Sequence, residues 1–157
     1  MDTSIGFASQ SEENELSDIF LYYGMDLAGD IEDHVIIKQG DKIAAGGKVS
    51  LIDRDLFHLE VLGVPSDQRR TGAGGLLLAE ILRHPWLYCR CPALEPGETF
   101  SVSTVSRGDA VPFYKKYGFK ECNFIDLATP YNEQCDTCPD QENCQPVPMF
   151  FVGGEKT

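Results

Sequence analysis

The run from Leu56 to Arg83 constrains the chain more than any other stretch. "LFHLEVLGV" has the pattern of a strand, "PSDQRRTGAGG" is a turn holding two arginines and three glycines, and "LLLAEILR" has the pattern of a helix. A strand that enters a helix through a glycine turn leaves backbone N–H groups unpaired at the helix start, where the macrodipole adds roughly half a positive charge. That end of a helix binds anions. Gly72, Gly74 and Gly75 let an oxygen approach the backbone, and Arg69 and Arg70 add formal charge, which suits a pyrophosphate better than a lone carboxylate. Two familiar nucleotide turns do not fit. The P-loop needs Lys and then Ser or Thr after its last glycine, where Leu76 stands; the dinucleotide fingerprint needs a third glycine where Leu77 stands.

Around this unit the hydrophobic period sets the remaining elements. "SIGFA" is at best a short edge strand. "SEENELSDIFLYYG" reads as a helix, with Ser11 as N-cap, Glu12, Glu13 and Glu15 in the first turn, Leu16, Ile19, Phe20 and Tyr23 on one face, and Gly24 at the end. "HVIIK", "KIAAGGKVSLI" and "LFHLEVLGV" follow as an antiparallel meander. A helix over about 72–83 stops at His84 and Pro85. After "FSVSTV", a strand, "RGDAVPFYKKYG" reads as a short helix with Asp109 as cap and Gly118 as its left-handed terminus; "FKECNFIDL" and "VPMFFV" are the last strands.

At 157 residues the expectation is one domain, 1–157. A net charge of −12 argues against nucleic acid as partner and would steer a cationic substrate favourably. No segment has the roughly 18 to 20 apolar residues of a membrane span, and nothing near the start resembles a secretion signal, so a cytoplasmic protein without membrane partners is expected.

Two motifs then resemble one family. "RRTGAG", Arg69 to Gly74, matches the R/Q-x-x-G-x-G/A signature of the GNAT superfamily of N-acetyltransferases, and "AVPFYKKYGF", Ala110 to Phe119, matches its A-x-x-x-Y-x-x-x-G-F element. The resemblance implies an α/β GNAT fold: a mixed, mostly antiparallel sheet with splayed central strands flanked by helices. It implies that Arg69, Arg70, Thr71, Gly72, Ala73 and Gly74 wrap the pyrophosphate of acetyl-CoA, that Leu62 and Val64 offer backbone donors to the thioester, and that Gly63 relaxes a bulge there. Local likeness is greatest to the arylalkylamine N-acetyltransferases, in which two strand histidines form a proton path and a helix tyrosine serves as acid to the thiolate. His58 matches the first histidine and Tyr114 the tyrosine, while Glu60 replaces the second histidine.

The chemistry requires such groups. An alkylamine with a pKa near ~10 is protonated at neutral pH, so a base must take its proton, and the departing thiolate benefits from an acid. His58 and Glu60 share one face of their strand about 7 Å apart by period two, and either can serve as base directly or through water. Tyr114 is the candidate acid.

Cys135-x2-Cys138-x5-Cys144 lets thiolates converge on one metal, with Cys122, Cys89 or Cys91 as a fourth ligand; zinc is the first choice, ahead of an iron–sulfur cluster or redox disulfides. Five of the six cysteines fall in two segments, about 85–99 and 129–146, that read as a cysteine-rich insertion. The function expected is transfer of the acetyl group of acetyl-CoA to a primary amine of a small molecule or peptide. The alternative is a non-catalytic acyl-CoA-binding regulator with a metal- or redox-sensing cysteine cluster. A homodimer is compatible with the sequence, which leaves oligomeric state open.

Overall fold

The computed structural model describes residues 3–23, 25–53, 56–65, 72–89, 99–127 and 146–153. Seven strands form a mixed sheet: β1 (Thr3–Phe7), β2 (Val35–Gln39), β3 (Lys42–Asp53), β4 (Leu56–Gly63), β5 (Phe100–Ser106), β6 (Lys120–Glu121) and β7 (Val147–Gly153), in the order β1-β2-β3-β4-β5-β7-β6. The helices are α1 (Glu13–Leu21), α2 (Ala73–Arg83) and α3 (Val111–Lys116), with short 3₁₀ turns between elements. Contacts divide the chain into two compact units, Met1–Ser50 with Leu59–Ala93 and Leu51–His58 with Leu94–Thr157, so β4 contributes residues to both.

In the first unit β1 is indeed an edge strand, antiparallel to β2, and β2 is antiparallel to β3 with a register shift at Ile37/Lys38. The apolar stripe of α1, Leu16, Ile19 and Phe20, is buried with Ile31, Ile36, Ile43 and Val61. The helix start differs from expectation. Ser9, not Ser11, begins it: its N–H donates to Glu12 Oε1 at 2.8 Å in a capping box, and a 3₁₀ turn, Gln10–Glu12, precedes the α-helix. Glu12 is the reason, since only a residue three positions back from it can complete that reciprocal pair. Gly24, the expected helix end, lies outside the described residues.

In the second unit β7 pairs antiparallel with both β5 and β6. Phe57, Phe100, Phe151, Phe119 and Tyr114 form a chain of ring contacts with centroids 5.3 to 6.5 Å apart, a large apolar contribution to this unit's core. Gly118 ends the α3 segment with φ +98°, the left-handed terminus expected of it. Asp109 falls inside a 3₁₀ turn, Gly108–Ala110, and the α-helical cap is Ala110. "FKECNFIDL" is not one strand: β6 is two residues long, because Asn123 and Asp126 form their own capping box and turn the backbone into a 3₁₀ turn at Phe124–Asp126.

Candidate active site

The exit of β4 is shaped by close approach. A Cβ on Gly47 of β3 would stand 2.7 Å from the Val61 carbonyl oxygen, and one on Gly63 would stand 3.1 Å from the Phe20 ring. Glycine therefore admits close backbone and ring contacts on either side of Leu62. Gly63 is absent from the glycines of positive φ, so its requirement is steric. Just past the strand, Tyr23 Oη donates to the Val64 carbonyl at 2.6 Å, tying the end of the α1 segment to the β4 exit. Leu62 and Val64 are both half-buried there.

Of the glycine turn, Arg69, Arg70 and Thr71 lie outside the described residues. Gly72, Ala73 and Gly74 lie within them and open α2. Gly72 is the N-cap with φ +88°, a conformation that L side chains rarely adopt, and its carbonyl accepts the Leu76 N–H at 2.9 Å. A glycine cap carries no side-chain acceptor of its own, which leaves the positive end of an eleven-residue helix suited to an external anion.

Within the first unit, Glu60 is held by Lys48 and Ser50. Lys48 Nζ stands 2.9 Å from Glu60 Oε2, and the Ser50 hydroxyl donates to the same oxygen. Lys48 and Ser50 lie two apart on β3, so period two brings both to one face. A proton taken by Glu60 would have to disturb this ion pair, which weighs against Glu60 as the direct base.

Within the second unit, His58 is 1% exposed and its Nδ1 lies 2.8 Å from Ser103 Oγ. Tyr114 is also buried, between Phe113 and Phe119, and pairs with the Thr104 side chain; burial pushes its phenol above the ordinary tyrosine range. Ser103 and Thr104 are adjacent on β5, so their side chains leave opposite faces. His58 and Tyr114 consequently meet β5 from opposite sides: His58 on the polar face, Tyr114 on the face with Phe57, Phe100 and Phe151. Sequence reasoning paired the two roles without seeing this separation, and the alternating polar residues of "FSVSTV" were the available signal.

A second buried histidine was missed. His34 is 0% exposed, its Nε2 accepts the Ala28 N–H at 3.0 Å, and its Nδ1 lies 2.8 Å from the Asp30 carbonyl, which fixes a neutral ring with the proton on Nδ1. Burial lowers its pKa, with the Lys48 charge adding to the effect against the raising influence of the Asp30 and Ile31 backbone and of Asp33. It is a staple for the segment between α1 and β2.

The proposed metal ligands Cys135, Cys138 and Cys144 lie outside the described residues. Cys122 lies within them, half-buried, and burial and the Asp126 charge push its thiol up, away from the thiolate that a metal requires. Among the described residues no group of three or more His, Cys, Asp or Glu could hold a metal ion, and no helix is long and apolar enough to cross a membrane.

The family description "Acetyltransferase (GNAT) domain" matches residues 22–125, more than half of the chain. The chain belongs to the GNAT acetyltransferase family. Solved structures share the fold at low identity. N-acetylglutamate synthase from Neisseria gonorrhoeae, complexed with coenzyme A and N-acetyl-glutamate, aligns with a TM-score of 0.73 and 12% identity over 97% of this chain and 35% of its own. The chain thus spans about a third of that enzyme's length. The ribosomal-protein-S18-alanine N-acetyltransferase from Escherichia coli aligns with a TM-score of 0.63 and 15% identity over 99% of this chain and 96% of its own. Arabidopsis thaliana Naa50, in complex with the bisubstrate analogue CoA-Ac-MVNAL, aligns with a TM-score of 0.60 and 14% identity over 98% of this chain and 99% of its own. No curated protein matches the sequence. The likeness of this GNAT chain to the arylalkylamine enzymes rests on His58, Tyr114 and their neighbours alone.

Proposed function

We propose that this GNAT chain acetylates a primary amine by direct attack on the acetyl-CoA thioester, with His58 as the base. The observation that carries the reading is the buried His58 of β4, four residues before Leu62 and bonded at Nδ1 to Ser103 of β5; it stands where the arylalkylamine enzymes are expected to carry the first histidine of their proton path. His58 takes one proton from the ammonium, the freed lone pair forms the new C–N bond at the thioester carbon, and the second N–H proton leaves to the departing sulfur or to water as the tetrahedral intermediate collapses. The C–S bond then breaks and the thiolate leaves. Backbone N–H groups of Leu62 and Val64 hold the oxyanion, and the turn from Arg69 to Gly74 holds the pyrophosphate.

Tyr114 takes a narrower role than a full acid. A thiol titrates near ~8.5 and a free phenol near ~10. With burial raising the phenol further, complete proton transfer to the thiolate is uphill, so Tyr114 hydrogen-bonds the departing sulfur. Glu60, less buried than His58 and paired with Lys48, sets the charge that the incoming amine meets. The solved structures named above include an N-acetylglutamate synthase, a ribosomal-protein-S18-alanine N-acetyltransferase and a complex with CoA-Ac-MVNAL, so amino acids and peptides both belong in the test.

The experiment is thiol release from acetyl-CoA across a panel of small amines, polyamines, amino acids and peptide N-termini. Amine-dependent release is the expected result. Coenzyme binding with no amine-dependent turnover would overturn the reading in favour of a non-catalytic acyl-CoA binder.

A further inference from the structure

We infer that Tyr23 is a positioning residue: by holding the Val64 carbonyl through its phenol, it fixes the residue whose N–H is an expected donor to the thioester. The functional consequence rests on the acetyl transfer proposed above, while the geometry stands apart from it. The Val64 carbonyl belongs to the peptide bond with Pro65, and proline carries no N–H, so this peptide has an acceptor and no donor. β4 ends one residue earlier, at Gly63, and the Val64 carbonyl is taken by Tyr23 Oη at 2.6 Å. A carbonyl only accepts, so the phenol proton lies on this bond, and any other contact to the phenol oxygen uses its lone pairs.

The bond reaches the N–H because Val64 has little freedom to turn. The residue before a proline is confined to extended conformations, and a β-branched valine favours the same region. Within that narrow range of φ and ψ, fixing the direction of the carbonyl also limits the swing of the N–H on the other side of the same Cα. The neighbouring residue is held from the same helix end. A Cβ on Gly63 would stand 3.1 Å from Phe20 Cδ1 and 3.3 Å from Phe20 Cε1, so the strand backbone lies directly on a fully buried ring. Phe20 and Tyr23 are one turn apart, and the Phe20 carbonyl accepts the Tyr23 N–H at 3.0 Å and the Met25 N–H at 2.9 Å, which closes the helix end into a compact turn. Two side chains of that turn bracket the Gly63–Val64 peptide, one by packing on Gly63 and one by a hydrogen bond to Val64. An oxyanion donor is most effective when it is aimed before charge develops, because reorientation during the reaction costs part of what the bond supplies. Tyr23 contributes through Val64, with no contact to the reacting atoms required.

The test is steady-state thiol release by the full chain together with ¹³C NMR of the Val64 carbonyl. Tyr23→Phe removes the hydroxyl and keeps the ring. It is expected to shift the Val64 carbonyl signal and to lower kcat for the amine by about tenfold, with the KM for acetyl-CoA within about twofold of the wild type. Tyr22→Phe, which alters the exposed phenol beside Tyr23, is the control and is expected to leave all three readings unchanged. An unmoved carbonyl signal in Tyr23→Phe would overturn the inference at the bond itself. A moved signal with unchanged kcat, or a loss confined to the KM for acetyl-CoA or to thermal stability, would overturn the positioning role. A wild type with no amine-dependent turnover would sink the proposed function and the positioning role with it, while the carbonyl signal would still decide the bond.

Discussion

Two imidazoles are buried in this chain, and they are satisfied in different ways. His34, in the first unit, has both ring nitrogens held by backbone atoms, the Ala28 N–H and the Asp30 carbonyl. His58, in the second, meets a side-chain hydroxyl at Nδ1. Backbone partners belong to the fold and cannot rotate, so a proton added to His34 Nε2 must expel the Ala28 N–H. A hydroxyl can either donate or accept, so its contact with His58 Nδ1 can be kept when the ring changes charge. Burial and hydrogen bonding alone therefore do not separate a structural histidine from a chemical one; the kind of partner does.

The largest expected effect breaks the chemical member of the pair. His58→Gln should lower kcat/KM by about 10²- to 10⁴-fold, measured by thiol release, with a melting temperature near that of the wild type if packing is kept. His34→Ala should do the reverse. Stranding the Ala28 N–H and the Asp30 carbonyl and leaving a cavity should cost about 2 to 4 kcal/mol in urea denaturation, with kcat of the remaining folded protein little changed.

His34 also gives the stability a pH dependence of definite sign. Its folded pKa lies below the unfolded value near ~6.5, so the unfolded chain binds the extra proton first. The contribution is complete above ~6.5 and declines as pH falls below it, at up to about 1.4 kcal/mol per pH unit until the folded pKa is reached. Urea midpoints between pH 7 and pH 5 should show this slope in the wild type and a reduced one in His34→Gln. The smallest effect concerns the helix start: Ser9→Ala removes one half of the capping box and should cost about 0.5 to 1 kcal/mol, whereas Ser11→Ala should cost less.

Much of the fold was legible in the sequence because its signals are local. Strand period, the glycine turn and the helical stripe of α1 each need only neighbouring residues, and their elements stand where the pattern puts them. What was not legible depends on partners distant in sequence. No local pattern places β7 between β5 and β6, although β7 follows β6 in the chain. "FKECNFIDL" looks continuous by hydropathy, but the hydrogen bond from the Asn123 N–H to Asp126 ends the strand. Around the site, His58 and Glu60 were visible as polar residues on an apolar strand. Their unequal surroundings were not, since Ser103 lies 45 residues from His58 and Lys48 lies on the preceding strand. His34 opens an apolar run in "HVIIK", which gives no local hint that the Ala28 N–H and the Asp30 carbonyl will close on its ring.

The most direct test of the account is the pH dependence of kcat/KM for one accepted amine in the wild type, His58→Gln and His34→Gln. The account predicts an acid limb in the wild type that persists in His34→Gln and disappears in His58→Gln. An acid limb that survives in His58→Gln would contradict it, and would move the base to another residue.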